Sequence, residues 1–437
     1  MSGLSRDEQL SEQSLTPISS ITASAQVPLP LQRVSPGFIL AYAFAYFGAW
    51  IALLTPVIVT LAIRIQQIDP VGKLGDIALI TGVGAIFGFL SSPFFGKLSD
   101  RTTSPFGMRR PWLIASVIGT AIGLLIVAFA QTIPMVLLGW CVTNVAFWAL
   151  AGILVAVLPD QVPDEQRGLV SGILGMCQQL ATVGGVFVAQ LVAGSTFWMF
   201  MLPAAVALVT VLVFTLLLKD RTLDPSQCPP YSFREFLRSF WVNPVRYPDF
   251  GWAWLSRFLL FLALATLLDF QVYYLIDHLH QAPTMVVGLV LIATLIQTVC
   301  VILSSNLSGV LSDRTRHRKI FVMTAALIYA VGLAIIAFTM SFIIFVVAIA
   351  IVGIGQGAYL AVDLALGSEV LPEHGREAAK DMGVFFIANA LPPTIAPAIA
   401  LIFLGIGGGN NYTALFIVAA VYALLGALTI QPVKGVR

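Results

Sequence analysis

Three ionisable side chains, Arg257, Asp269 and Asp363, stand inside long apolar stretches of this chain. Where such a stretch crosses a bilayer, a mid-span acid or arginine costs about 2.5–3.5 kcal/mol on insertion scales and usually marks a site. Arg257 lies six to nine residues from one end of its stretch, and Asp363 about eight from the same-side end of its own. At about 1.5 Å per residue, both sit about 9–13 Å deep. A buried carboxylate that gains and loses a neighbouring cation is a device for releasing and taking up a proton. Asp269 is twelve residues beyond Arg257, about 120° round a helix, so both need not face one cavity. Glu369 is close enough to its helix end to snorkel. The four histidines, His278, His280, His317 and His374, fall in loops, which argues against a histidine relay at mid-depth.

Amides and aromatics accompany these charges: Tyr46 with Trp50, Asn144 with Trp148, Gln271 with Tyr274, and Gln356 with Tyr359. Gln178 and Asn389 stand on neighbouring stretches. A sugar has an apolar ring face and a polar rim, so an aromatic platform edged with amides or acids suits it. The competing role for each is a hydrogen bond between packed helices. Cys141, Cys177, Cys228 and Cys300 form no CxxC pair, and three sit in apolar runs as small fillers. No zinc site, disulfide framework, metal or cofactor is expected. GxxxxGK, HExxH and GxSxG are absent from the sequence, so ATP-driven pumping and hydrolase chemistry lack support. An enzyme is not expected.

The elements holding these residues follow from composition. Of 437 residues, 58% are hydrophobic and 10% charged, against about 25% charged in soluble domains. Mean hydropathy is +0.94. A soluble enzyme and a disordered chain are both excluded. The net charge of +2 offers no footprint for nucleic acid. Twelve runs reach the roughly 20 residues a spanning helix needs: 37–62, 77–98, 112–131, 134–158, 168–194, 196–218, 251–277, 284–309, 320–339, 341–371, 381–405 and 412–431. Their length predicts helices, since barrel strands take only about 9–11 residues. The first run is too long and too late for a signal peptide.

Twenty of the 23 Lys and Arg fall in alternate loops and the two tails, Arg64 and Lys73 fall on the other side, and Arg257 is within a run. Basic loops stay cytoplasmic, so both termini are expected inside. Asn411-Tyr-Thr413 matches a glycosylation acceptor but sits too near the outer surface and reads as chance.

The chain also repeats itself. Gly96-Lys-Leu-Ser-Asp-Arg-Thr102 recurs as Gly309-Val-Leu-Ser-Asp-Arg-Thr315, and Leu158-Pro-Asp160 as Leu371-Pro-Glu373, both at an offset of 213. Two six-helix halves, 37–218 and 251–432, are therefore expected between tails 1–36 and 433–437. The joining loop 219–250 places Phe233, Phe236, Leu237, Phe240 and Trp241 on one helical face, as an amphipathic helix at the inner membrane surface would. Pro392, Pro393 and Pro397 are expected to break the eleventh helix, and Gly353, Gly355 and Gly357 to loosen and bend the tenth.

The stretch Gly96-Lys-Leu-Ser-Asp-Arg-Thr-Thr-Ser-Pro-Phe-Gly-Met-Arg-Arg-Pro111 resembles the signature loop of the major facilitator superfamily. Its extended form is similar to the sucrose and glycoside cation symporter branches. The resemblance implies an all-α membrane protein: twelve transmembrane helices in two pseudo-symmetric bundles, a site between them, and helices one, four, seven and ten lining the cavity. Arg257 and Asp363 would then pair. It also implies a conformational motif of Gly96, Asp100, Arg101, Gly107, Arg109 and Arg110, with Gly309, Asp313 and Arg314 in the second copy. Gly96 would admit a neighbouring helix closely. Asp100 would meet an arginine or helix N-terminus across the halves. Two features depart from those branches: Asn144 to Leu158 carries neither Arg nor Asp, and Ile77 to Leu98 carries no acid. The cation sites of plant-type sucrose carriers and melibiose-type sodium carriers therefore do not carry over.

The leading expectation is a secondary transporter that takes up a sugar or glycoside with a proton or other monovalent cation, as a monomer in a bacterial inner membrane. An efflux antiporter for a lipophilic or cationic compound would use the same fold and Asp363. A membrane sensor that kept the fold without transport is a third class.

Overall fold

The computed structural model describes residues 33–220, 222, 246–315, 317–370 and 378–433. Among these, 12 helices are long and apolar enough to cross a membrane. They are α1 (Pro36–Ile68), α2 (Lys73–Asp100), α3 (Arg110–Phe129), α4 (Ile133–Gln161), α5 (Asp164–Leu191) and α6 (Thr196–Leu217). The second half holds α7 (Pro248–His278), α8 (Val286–Thr315), α9 (Arg318–Phe338), α10 (Phe342–Glu369), α11 in two pieces (Ala378–Ala390 and Pro392–Leu404), and α12 (Tyr412–Thr429). Side chains such as Leu216, Ile343 and Phe338 stay largely exposed on the outside, as a surface facing lipid does. The amphipathic segment 233–241, Glu373, His374 and the side chains of Asp313 and Glu369 lie outside the described residues.

The repeat is visible in the packing. In the first half α2 and α3 lie on α4, and α1 lies on α5 and α6. In the second, α8 and α9 lie on α10, and α7 lies on α11 and α12. Arg110 donates to the Leu218 carbonyl and Lys319 to the Gln431 carbonyl. The acceptors keep the 213-residue offset, while the donors are 209 apart.

The halves meet at the end remote from the termini, called here the distal end. There α2 packs on α11, and α5 on α8. A Cβ on Gly82 would lie 3.3 Å from the Thr394 carbonyl oxygen, so the two backbones nearly touch.

Several helix ends differ from expectation. α1 runs on to Ile68 through a π-helical turn at Pro56–Thr60. α7 ends in another, Tyr274–His278, which takes His278 into the last helical turn instead of a loop. α8 extends to Thr315, so Asp313 and Arg314 sit on helix. α11 breaks at Leu391, just before Pro392 and Pro393, which remove two backbone donors.

α10 is one continuous helix from Phe342 to Glu369. Its glycines face neighbouring backbone. A Cβ on Gly353 would lie 2.8 Å from the Gln297 carbonyl oxygen, and one on Gly355 2.6 Å from the Tyr329 nitrogen. One on Gly357 would lie 2.3 Å from the Val301 carbonyl oxygen. The glycines let α8 and α9 close on either side of α10.

Candidate functional site

Two anchors set the rotation of α7. Trp254 Nε1 donates to the Val384 carbonyl on α11 at 3.0 Å, and Ser256 Oγ to the Gly426 carbonyl on α12 at 2.7 Å. The next residue, Arg257, points between α10 and α11. It pairs with Asp363 of α10, and both side chains are 3% exposed. Arg257 Nη2 also reaches Asn389 Oδ1 of α11 at 3.4 Å. Three rings enclose the guanidinium, Phe385 at 4.6 Å, Phe261 at 5.3 Å and Phe386 at 5.4 Å. Tyr359, one turn before Asp363, is buried and its side chain reaches the same carboxylate. The pair expected from equal depth is thus formed, inside an apolar box that strengthens its attraction.

Asp269 takes no part in it. One of its carboxylate oxygens is enclosed and finds no hydrogen-bond partner among the described residues.

A second cluster lies in the first half. Trp50 of α1 meets Phe147 of α4 edge-on at 5.2 Å and Trp148 at 6.2 Å, with Tyr46 one turn away at 6.1 Å. Trp50 and Trp148 stay partly exposed, as a platform for a ligand must.

The other expected ligand contacts are placed differently. Asn144 is buried and its amide donates to the Trp140 carbonyl of its own helix at 3.0 Å. Gln271 is buried. Tyr274 is fully buried, with its hydroxyl shared between the Ile336 and Thr339 carbonyls of the second half. Gln356 accepts from Gln297 Nε2 at 2.9 Å across α8 and α10. Gln178 lies half-buried on α5.

The signature loop forms a compact polar knot. Arg109 Nη2 pairs with Asp100 at 2.6 Å and Nε with Asp160 at 3.0 Å, while Nη1 donates to Ser99 Oγ at 3.0 Å. Asp220 Oδ2 accepts from the Arg109 and Arg110 backbone nitrogens at 2.6 and 2.9 Å, capping α3 from the far end of the half. Gly107 makes room for it, with φ at +104° and a would-be Cβ 2.3 Å from that oxygen. Among the described residues Asp100 meets an arginine of its own half, not one across the halves. The close approach expected at Gly96 is also absent: no described atom lies within 4 Å of a Cβ there, and Gly309 meets only Ala361, at 3.9 Å. The halves touch distally, and Gly96 is at the other end of α2. Arg101 is the residue after α2, and Arg314 is exposed in the last turn of α8.

Asp160 and Asp220 are the partners that sequence reasoning missed. Asp160 had a signal, as part of the Leu-Pro-acid repeat; Asp220 had none.

The sequence pattern of the Major Facilitator Superfamily matches residues 38–377 and 270–434. The chain belongs to this superfamily. Solved members share the fold. The nucleoside transporter NupG superposes with a TM-score of 0.70 at 16% identity, over 91% of this chain and 98% of its own. A bacterial homolog of the human lysosomal transporter Spinster, inward-facing and unoccupied, gives 0.67 at 15%, over 91% and 98%. Sequence matches are shorter. A proton-associated sugar transporter A of Mus musculus is 35% identical over 88 residues, 20% of this chain and 12% of that protein. The class B tetracycline resistance protein of Escherichia coli is 28% identical over 135 residues, 31% of this chain and 32% of that protein. The curated relatives are thus matched over less than a third of their own length.

Proposed function

We propose that this secondary transporter of the major facilitator superfamily imports a sugar or glycoside together with a proton. The observation that carries the coupling is the enclosed Arg257–Asp363 pair. A carboxylate facing a guanidinium is stabilised charged; parted from it in an apolar site, it is stabilised by taking up a proton. A helix movement that separates α7 from α10 would therefore load Asp363, and the reverse movement would unload it. No metal or cofactor enters this cycle.

The sugar reading is supported by Trp50, Trp148 and Tyr46, and by the mutual neutralisation of the two mid-depth charges. A pair that cancels itself suits an uncharged, hydroxyl-rich ligand. Asn389, with its Oδ1 3.4 Å from Arg257 Nη2, supports the reading as the amide that would bridge ligand and pair. The unpartnered Asp269 oxygen favours a second reading, efflux of a cationic compound in exchange for protons. The basic asymmetry supports cytoplasmic termini, which makes the distal end the outer one. A bacterial inner membrane and a monomer complete the reading.

Uptake of labelled disaccharides into proteoliposomes, with and without an imposed pH gradient, tests it. Accumulation that follows the gradient supports sugar–proton symport. Sugar-independent extrusion of a lipophilic cation would support the second reading. No gradient-dependent movement of either would leave the fold without the transport proposed for it.

A further inference from the structure

A buried charged contact joins the two halves far from the Arg257–Asp363 pair. Lys73 is the first residue of α2, in the first half; Asp277 is in the last turn of α7, in the second. Lys73 Nζ lies 2.6 Å from Asp277 Oδ1, with side chains 9% and 16% exposed. The other oxygen of Asp277 accepts from the Tyr412 hydroxyl, at the start of α12, at 2.8 Å. The Lys73 ammonium lies 5.2 Å over the Tyr273 ring. The Tyr273 hydroxyl crosses to the Ala62 carbonyl of α1 at 3.0 Å. Asp277 belongs to the π-helical turn Tyr274–His278. That wide turn rotates it relative to an α-helical continuation, a local irregularity frequent at functional positions.

The same end of the molecule carries a cost. Thr60 Oγ1, Gln66 Oε1, Asp76 Oδ2 and His278 Nε2 are buried without a hydrogen-bond partner among the described residues. Enclosing polar atoms unpaired is unfavourable, and opening to water relieves it. Distal closure thus sets one good cross-half ion pair, supported by two tyrosines, against several stranded polar atoms. Such a balance makes an element with two accessible states rather than a fixed seam.

We propose that Lys73 and Asp277 form a latch that holds the distal closure, and that the transport cycle opens this end by breaking that pair. Tyr412 keeps the carboxylate aimed at Lys73, so the pair can re-form. The proposal rests on the transporter reading for its place in a cycle, but its test uses no substrate and no proton gradient.

Spin labels at Val71 and Thr284, both exposed in distal loops of opposite halves, report the opening by double electron–electron resonance in nanodiscs, with the native cysteines replaced. The parent is expected to show a dominant short distance. Lys73→Met and Asp277→Asn are each expected to raise the long-distance fraction at least fivefold, and Lys73→Arg to keep it low. Tyr412→Phe leaves the ion pair and removes one hydrogen bond; an intermediate rise is expected, and it keeps the test open if a charge-removing variant fails to fold. Unchanged distances in Lys73→Met, Asp277→Asn and Tyr412→Phe would overturn the latch. Altered distances in a protein that moves no sugar would count against the transport reading alone.

Discussion

Removing one member of the Arg257–Asp363 pair should cost far more than removing both. Each side chain is 3% exposed, and the guanidinium is packed among Phe261, Phe385 and Phe386. Among the described residues, Arg257→Leu strands a carboxylate with only Tyr359 in reach, and Asp363→Leu strands a guanidinium whose remaining acceptor is Asn389 at 3.4 Å. Breaking a buried pair from one side typically costs about 3–5 kcal/mol, whereas replacing both partners with apolar groups is often close to neutral. The double variant Arg257→Leu with Asp363→Leu should therefore unfold at a denaturant level nearer the parent than either single variant. Transport reports the same pair differently. One pH unit across the membrane is worth about 1.4 kcal/mol, so one coupled proton sustains about tenfold accumulation. Asp363→Asn should bring that ratio to unity while substrate exchange down a gradient persists. Single variants as stable as the parent would refute the buried pairing. An Asp363→Asn protein that still concentrates substrate with an unchanged pH profile would move the coupling site elsewhere, and Asp269 would be next to test.

Gly107→Ala should destabilise the first half by about 1–3 kcal/mol, because it meets both the +104° backbone and the Asp220 carboxylate; an unchanged melting curve would discount the cap. Trp50→Ala and Trp148→Ala should weaken substrate binding about tenfold each with folding intact, read by equilibrium binding; unaltered affinity would remove the aromatic platform from the site. A membrane-impermeant thiol reagent should label the central-loop Cys228 only after the membrane is permeabilised. Labelling of intact cells would reverse the assigned orientation.

The number of spans, the repeat and the Arg257–Asp363 partnership were legible because each leaves a mark along the chain. Apolar run length gives the spans, a fixed offset gives the repeat, and charge at equal depth in two runs gives the pair. Tyr274 and Asn144 were misleading for a physical reason. A polar residue on a helix expected to line a cavity looks the same whether it faces ligand or donates to a carbonyl within its own half. Which of the two it does depends on helix rotation, and in α7 that is set by tertiary bonds from Trp254 and Ser256. The π-turns at Pro56–Thr60 and Tyr274–His278 were illegible because no residue type enforces them. Lys73 did leave a trace, as one of two basic residues on the sparsely charged side, but its partner is 204 residues away.

The two copies of the signature loop have become unequal in a way that bears on how each half moves. Their first seven residues align at an offset of 213, yet Arg110 and Lys319, which make equivalent bonds, are only 209 apart. The four additional residues of the first copy fall between Thr102 and Arg109, the segment that includes Gly107. They give the chain length to fold back, so that Arg109 inserts between Asp100 and Asp160 while Asp220 caps the next helix. The ends of α2, α4 and α6 are thereby tied into one polar knot by bonds that lie within the first half. A half stitched in this way moves as a rigid body, so the bonds that differ between conformations lie between the halves or, like the Arg257–Asp363 pair, within the second half. Asp100 is already satisfied by Arg109, so a contact from it to the second half would supplement the knot rather than replace it. Lys73, by contrast, makes its ion pair with Asp277 across the halves, which is why the distal end, and not the signature loop, carries the contact that must break.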